Sequence, residues 1–280
     1  MSWRIGVEHR SRYEYADVVY SSYNEARITP MTTLSQLVLD ARVEVAPAHQ
    51  PLRYTDYWGS VVHAFDLHQP HRDLEVIGRS VVETTVPDPP GSHLTWAELA
   101  RDPVCDDFAE LLAPTIQVPV DARISGVAES LRAAHTPATA GPAVVEWVHD
   151  QLTYVAGTTE VHTSAIEAWE GKQGVCQDFA HLALAVVRSM GIPGRYCSGY
   201  LHPSADAGVG PTLEGQSHAW IEVWTGEWEA FDPTIGSSIG DRHVLVARGR
   251  DYADVSPVKG IFHGGQTSRL HVSVQLTRLG

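Results

Sequence analysis

The sequence predicts an α+β fold, with a β-rich domain over residues 1–90 and a second domain over residues 91–280 in which a buried helix packs on an antiparallel sheet. Three observations carry this expectation. Residues 1 to about 86 alternate polar and apolar with period two. Past a Pro/Gly-rich break, the apolar spacing changes to three and four. Residues 176–190 are then apolar nearly all round, and short strand-like runs follow them.

The elements can be justified in chain order. Residues 3–9, 37–45, 61–68 and 75–84 are alternating runs rich in β-branched and aromatic residues, as antiparallel strands with one packed face require. Asp88-Pro89-Pro90-Gly91-Ser92 breaks any regular element and reads as a linker. Helical spacing returns over 121–134 and 142–152, the second opening on Pro142, where a missing N–H costs little. An all-round apolar helix such as 176–190 belongs in the middle of its domain. It ends at Gly191-Ile192-Pro193-Gly194, a strong stop. Strand-like runs follow at 195–201, 217–224, 228–232, 243–247 and 268–276, while 203–211 and 214–216 read as surface loop.

Composition excludes several function classes. The 280 residues are 43% hydrophobic and 19% charged, enough apolar material for real cores and too little charge for a disordered chain. Net charge is −14, so no general cationic footprint for nucleic acid or an anionic membrane is expected. No apolar run approaches the ~18 residues of a membrane span. The opening residues lack the apolar stretch of a signal peptide, so a cytoplasmic setting is expected. Three cysteines, Cys105, Cys176 and Cys197, argue for reduced thiols rather than a disulfide framework. Their spacing does not suit zinc, and His63, His68 and His71 read as a solvated strand face. No metal and no cofactor are expected.

The chemistry concentrates in three places. Cys176 opens the apolar helix, where free N–H groups and the helix dipole favour a thiolate. Ser217–Val223 and Trp228–Thr234 form strand-like segments joined by Thr225-Gly226-Glu227, which predicts a hairpin. His218 opens its first strand and Asp232 closes its second, so the two side chains should lie side by side. An Asp in that place fixes the imidazole tautomer and steadies its charged form. His181 should be a buried structural group, Asp178 a carboxylate at the helix start, and Trp220 packing beneath the hairpin. Cys197 reads as inert packing. Cys105 has carboxylates nearby that disfavour its thiolate.

These segments resemble the transglutaminase-like superfamily of papain-type thiol enzymes, in particular bacterial two-domain members with a β-rich N-terminal domain. The likeness rests on Gly174-Val175-Cys176-Gln177-Asp178-Phe179-Ala180-His181, Met190-Gly191-Ile192-Pro193-Gly194-Arg195-Tyr196, His218-Ala219-Trp220 and Phe231-Asp232-Pro233-Thr234. Tyr154 and residues 158–165 match the lead-in. The resemblance implies a papain-like transglutaminase core; the paired prolines, aromatics and alternating strands of the first domain suit a β-sandwich that packs on that core and shapes one wall of the cleft, with an oligomerisation surface as the alternative and room for the C-terminal strands to return to it. It implies that Cys176 is the nucleophile, His218 the base and Asp232 its partner, with acyl transfer running through a thioester. The Cys176 backbone N–H is the first candidate oxyanion donor, and Tyr154 and Gln173 are candidates for a second.

The leading expectation is a cysteine protease or amidase acting on peptide or isopeptide bonds. A cross-linking transglutaminase is the alternative enzyme, and a non-catalytic binding scaffold the alternative of another class. No calcium loop is evident. The expected partner is a peptide or protein substrate, with homo-oligomer formation left open.

Overall fold

The alternating first third becomes β1 (Ser2–Thr29), β2 (Gln36–Ala46), β3 (Leu52–Thr55), β4 (Val61–Leu67) and β5 (His71–Thr85). This computed structural model describes residues 2–265 and 268–280. After the linker come the short helices α1 (Trp96–Leu99), α2 (Asp102–Asp107) and α3 (Ala109–Leu112), then α4 (Ala122–Ala134) and α5 (Pro137–Gln151). Next are β6 (Thr153–Tyr154), α6 (Ala165–Gly171), β7 (Gln173–Gly174) and α7 (Cys176–Ser189). The remainder is mostly strand: β8 (Gly194–Leu201), β9 (Thr212–Gly215), β10 (Ser217–Trp224), β11 (Trp228–Asp232), β12 (Ser237–Ser238) and β13 (His243–Gly249). A short α8 (Tyr252–Val255), β14 (Val258–Gly264) and β15 (Ser268–Arg278) complete the chain.

The N-terminal strands form an eight-stranded antiparallel sheet built around β1. The first half of β1 pairs with β5 and β15, placing Ile5 opposite Val82 and Arg278. Its second half pairs with β4 and β14. The β1–β5 register shifts between Glu14 and Val19, and there the strand passes from one set of partners to the other. Tyr15, Val19, Phe65, Leu67, Leu74 and Val76 from both halves share one apolar cluster. The two layers of the expected sandwich are thus one sheet folded on itself.

In the second domain α7 is the centrepiece. Every residue from Gln177 to Arg188 is buried. It packs against α4, α5, α6 and β10, and its apolar cluster runs on into Trp3, Ile5, Val7, Val274 and Leu276 of the N-terminal sheet. The core sheet has the order β12-β11-β10-β8-β13. Within it, Gly199 of β8 lies opposite His218 of β10. A Cβ at Gly199 would sit 2.0 Å from the Val244 carbonyl oxygen and 2.7 Å from the Trp220 ring. Glycine is required by that approach. Gly199→Ala is therefore expected to destabilise the protein by about 3 kcal/mol, the upper range for overpacking, read as a lowered midpoint in thermal unfolding.

Polar bonds tie the domains together. The Gln36 side chain donates to the carbonyls of Met31 and Leu245 and accepts from the Leu245 N–H. Buried His9 bonds the Tyr200 hydroxyl at 2.9 Å.

Three expectations need correction. The helix expected from Pro142 starts five residues earlier, with Pro137 at its first position. Pro142 lies inside it and forfeits a single backbone bond. Neighbouring Gly141 packs so closely on Phe231 that a Cβ would sit 2.5 Å from the ring. Residues 214–216, read as loop, largely belong to β9, which pairs with β15 on the N-terminal sheet. Four residues with a glycine carry no periodicity; the pairing comes from the partner strand. Finally, His63 and His71 are buried rather than solvated, with His63 Nε2 2.9 Å from Thr29 Oγ1.

Candidate active site

Cys176 is the first residue of α7, so its N–H has no partner inside the helix. Val175, the preceding cap, has no polar side chain. Asp178 takes over by reaching back one turn to accept from the Val175 N–H at 2.7 Å. It also accepts from the Thr159 hydroxyl at 2.7 Å, which fastens the 155–163 segment to the helix start. The expected helix-start carboxylate is therefore fully buried, and that burial raises its pKa against the pull of these bonds.

The hairpin forms as expected, with Trp224 opposite Trp228 and Ile221 opposite Phe231. It brings His218 and Asp232 together, and Asp232 Oδ2 accepts from His218 Nε2 at 2.5 Å. A carboxylate only accepts, so that nitrogen carries the proton. Nδ1 is left to meet the sulfur. The Cys176 thiol lies 3.9 Å from the carbonyl oxygen of Ser217, one residue before His218. Burial works against charge on His218, but Asp232 and Cys176 outweigh it and push the imidazole up to about 10. Burial also opposes the charge on Asp232, yet the bonds from His218 and His243 hold its carboxyl well below the usual carboxylate range.

Asp232 is more fully held than the sequence suggests. Its Oδ1 accepts from the Thr234 and Ile235 N–H groups at 2.9 and 3.3 Å, an Asx turn that fixes the carboxylate plane. On Oδ2 a second imidazole, His243, approaches to 3.1 Å. Sequence reasoning missed His243. It opens a run recognised only as a strand, and only the pairing of β13 with β8 brings it here.

An open cleft of about 530 Å³ adjoins these groups, between the core and the N-terminal sheet. Ser217 and His218 form part of its wall, facing Glu214 of β9 and Val272 and Ser273 of β15. Tyr154 lies on the same wall and is close enough to Cys176 for their charges to interact. Cys176 is half-buried just beyond it. Gln173 is exposed on β7. His181 is fully buried, its Nε2 accepting from the Tyr252 N–H at 3.2 Å. Trp220 packs edge-on against His243, and Cys197 is buried. Cys105 stays apart, its thiol 3.8 Å from the Leu99 carbonyl oxygen.

His218, Asp232 and His243 also form the single metal-capable set among the described residues, their donor atoms all within 4.8 Å of one another. The hydrogen bonds argue against that use. His218 Nε2 and Asp232 Oδ2 lie 2.5 Å apart, a hydrogen-bond separation shorter than the roughly 3.3 Å between two ligands of a tetrahedral ion.

A half-buried thiol at a helix start, an imidazole and a buried carboxylate follow one another in this order along a helix and the hairpin after it. A family model described as the transglutaminase-like superfamily matches residues 125–233, which contain all three groups. One described as the bacterial transglutaminase-like N-terminal region matches residues 5–83. The chain belongs to the transglutaminase-like superfamily.

Its relatives include an uncharacterized protein of Mycobacterium leprae, 49% identical over 277 residues and covering 99% of each chain. Another, from Mycobacterium tuberculosis, is 32% identical over 98% of this chain and 92% of that one. A protein-glutamine gamma-glutamyltransferase of Pseudomonas aeruginosa is 27% identical over 50% of this chain but only 22% of its own length. Among solved structures, a "putative cysteine protease" from Cytophaga hutchinsonii superposes with a TM-score of 0.74 at 20% identity, covering 99% of this chain and 98% of that one. At that identity the likeness concerns the fold.

Proposed function

We propose that this protein is a cysteine-dependent acyl-transfer enzyme that hydrolyses peptide or isopeptide amide bonds through a thioester on Cys176. The observation that carries the reading is the chain of contacts from Cys176 through His218 to Asp232. Cys176 sulfur attacks the amide carbonyl, and the carbon–nitrogen bond breaks. His218 gives its Nδ1 proton to the departing amine. Water then attacks the thioester, losing a proton to His218, and the acid is released with the sulfur restored. The N–H of Cys176 faces the developing oxyanion, with the Tyr154 hydroxyl as a second donor.

Hydrolysis is favoured over transfer to an amine because the cleft is open and Cys176 is only half-buried, so water reaches the acyl-enzyme. The second reading, transamidation, is favoured by the partial likeness to the Pseudomonas aeruginosa gamma-glutamyltransferase. Among the described residues Glu214 is the single acidic side chain on the cleft wall, which suits neutral or basic substrate side chains. A reducing cytoplasmic setting would keep the thiol free.

A peptide library incubated with the full chain, with mass spectrometry of Cys176, tests the reading. The expected result is an acyl adduct on Cys176 that decays to free acid even with millimolar alkylamine present. Amide formation exceeding acid release would assign transamidation instead. A library that leaves Cys176 unmodified, together with iodoacetamide labelling no faster at pH 6 than for an ordinary thiol, would leave the scaffold reading.

A further inference from the structure

We infer that His243 is a positioning residue of this site: it donates a hydrogen bond to Asp232 and so limits how strongly that carboxylate holds the proton on His218. The inference rests on the reading of Cys176 and His218 as nucleophile and base.

The tautomer of His243 follows from its neighbours. The Gly240 N–H donates to His243 Nδ1 at 3.1 Å, so that nitrogen carries no proton in the neutral ring. The proton is then on Nε2, which points at Asp232 Oδ2 from 3.1 Å. His243 is buried and Trp220 packs edge-on against it at 5.4 Å, so the ring has one orientation. The Oδ2 that accepts from His218 therefore accepts from His243 as well.

Sharing has a chemical consequence. A second donor spreads the carboxylate's charge and makes it a weaker acceptor toward His218. His218 must hold its proton firmly enough to pair with the sulfur and release it to a leaving amine. An Asp232 bonded by His218 alone would grip that proton harder. His243 tempers the grip while staying neutral, since burial pushes its own pKa down.

Other charges could move the same proton, and they lie on several elements. Asp232 on β11 and Cys176 on α7 face His218 directly. Arg242, beside His243, acts on that ring. Glu214 on β9 and Tyr154 on β6 line the cleft that His218 enters. All are unchanged by the substitutions below, so a shift is attributable to position 243.

The test is the rate of Cys176 carboxymethylation by iodoacetate from pH 5 to pH 11 on the full chain. Iodoacetate is an anion, so its reaction slows when the neighbouring imidazolium loses its proton. The alkaline limb thus reports His218. In His243→Asn the short amide oxygen can still accept from Gly240, but its nitrogen falls short of Asp232. In His243→Gln the longer side chain can still donate to Asp232 while losing Gly240. The expected result is an alkaline limb raised by about half a unit to one unit in the Asn variant, a fraction of the worth of one hydrogen bond to a charged group because only the effect passed on to His218 is read. The Gln variant should stay close to wild type.

Equal limbs in all three proteins, or equal shifts in both variants, would overturn the inference and leave His243 as packing. A direct measurement serves even if a variant fails to fold. Nitrogen-15 NMR of the wild-type imidazoles must show His243 protonated at Nε2 with Nδ1 bare, and the reverse pattern would overturn the inference. Failure of the underlying reading looks different: wild-type Cys176 would then show no alkaline limb.

Discussion

Cys176→Ser is expected to leave a folded protein whose amide-cleaving activity has dropped by about 10⁴-fold or more, the scale seen when a nucleophile is removed from a coupled set. The sulfur is half-buried at the start of α7 and touches the Ser217 carbonyl and His218, so a hydroxyl fits without disturbing the helix. Thermal unfolding should therefore change by less than about 1 kcal/mol. The chemistry cannot be kept. A serine hydroxyl needs its proton removed during attack and is a far weaker nucleophile than sulfur. Circular dichroism with a peptide-cleavage assay checks both halves. Activity within tenfold of wild type would move the nucleophile elsewhere, with Cys105 the half-buried thiol to examine next.

The parts of this molecule that were legible in the sequence are those set by local rules. The apolar run 176–190 demands burial wherever it is placed, and α7 is buried from Gln177 to Arg188. Thr225-Gly226-Glu227 between two strand-like runs fixes a hairpin, and the hairpin alone brings His218 to Asp232. What stayed illegible depends on pairings between distant segments. His243 meets Asp232 because β13 adds to β8, and no feature of residues 240–243 announces that. β9 becomes a strand because β15 lies beside it, and through that pairing the N-terminal sheet supplies a cleft wall opposite His218. Of the two candidate second donors, Gln173 is exposed on β7. Tyr154, paired opposite Gly174 on the neighbouring strand, is the candidate that reaches the wall.

Asp232→Asn is expected to lower the turnover rate by about 10⁴-fold, comparable with neutralising the carboxylate of a serine triad. It is also expected to change how stability depends on pH. An amide can accept from His218 through one oxygen, but it brings no charge and its nitrogen needs acceptors that two imidazole N–H groups cannot supply. His218 then loses the partner that raises its affinity for a proton. In the wild type the folded imidazole titrates near 10, above its unfolded value of about 6.5. A group raised in this way contributes stability that is complete below the unfolded pKa and is lost as pH climbs through the folded one. The wild-type unfolding midpoint should therefore fall between about pH 6.5 and pH 10, and this component of the fall should shrink in Asp232→Asn to the part that Cys176 supplies. At the acid end the sign reverses. Asp232 is held below its unfolded value of about 3.9, so its contribution is present above that pH and lost as pH falls through the folded value. The variant should lose less stability than wild type below about pH 4. Calorimetry from pH 3 to pH 10 reads both limbs without any knowledge of the substrate. Parallel pH–stability curves for the two proteins would mean that Asp232 and His218 do not share a charge in the folded state, and the proposed base would lose its partner.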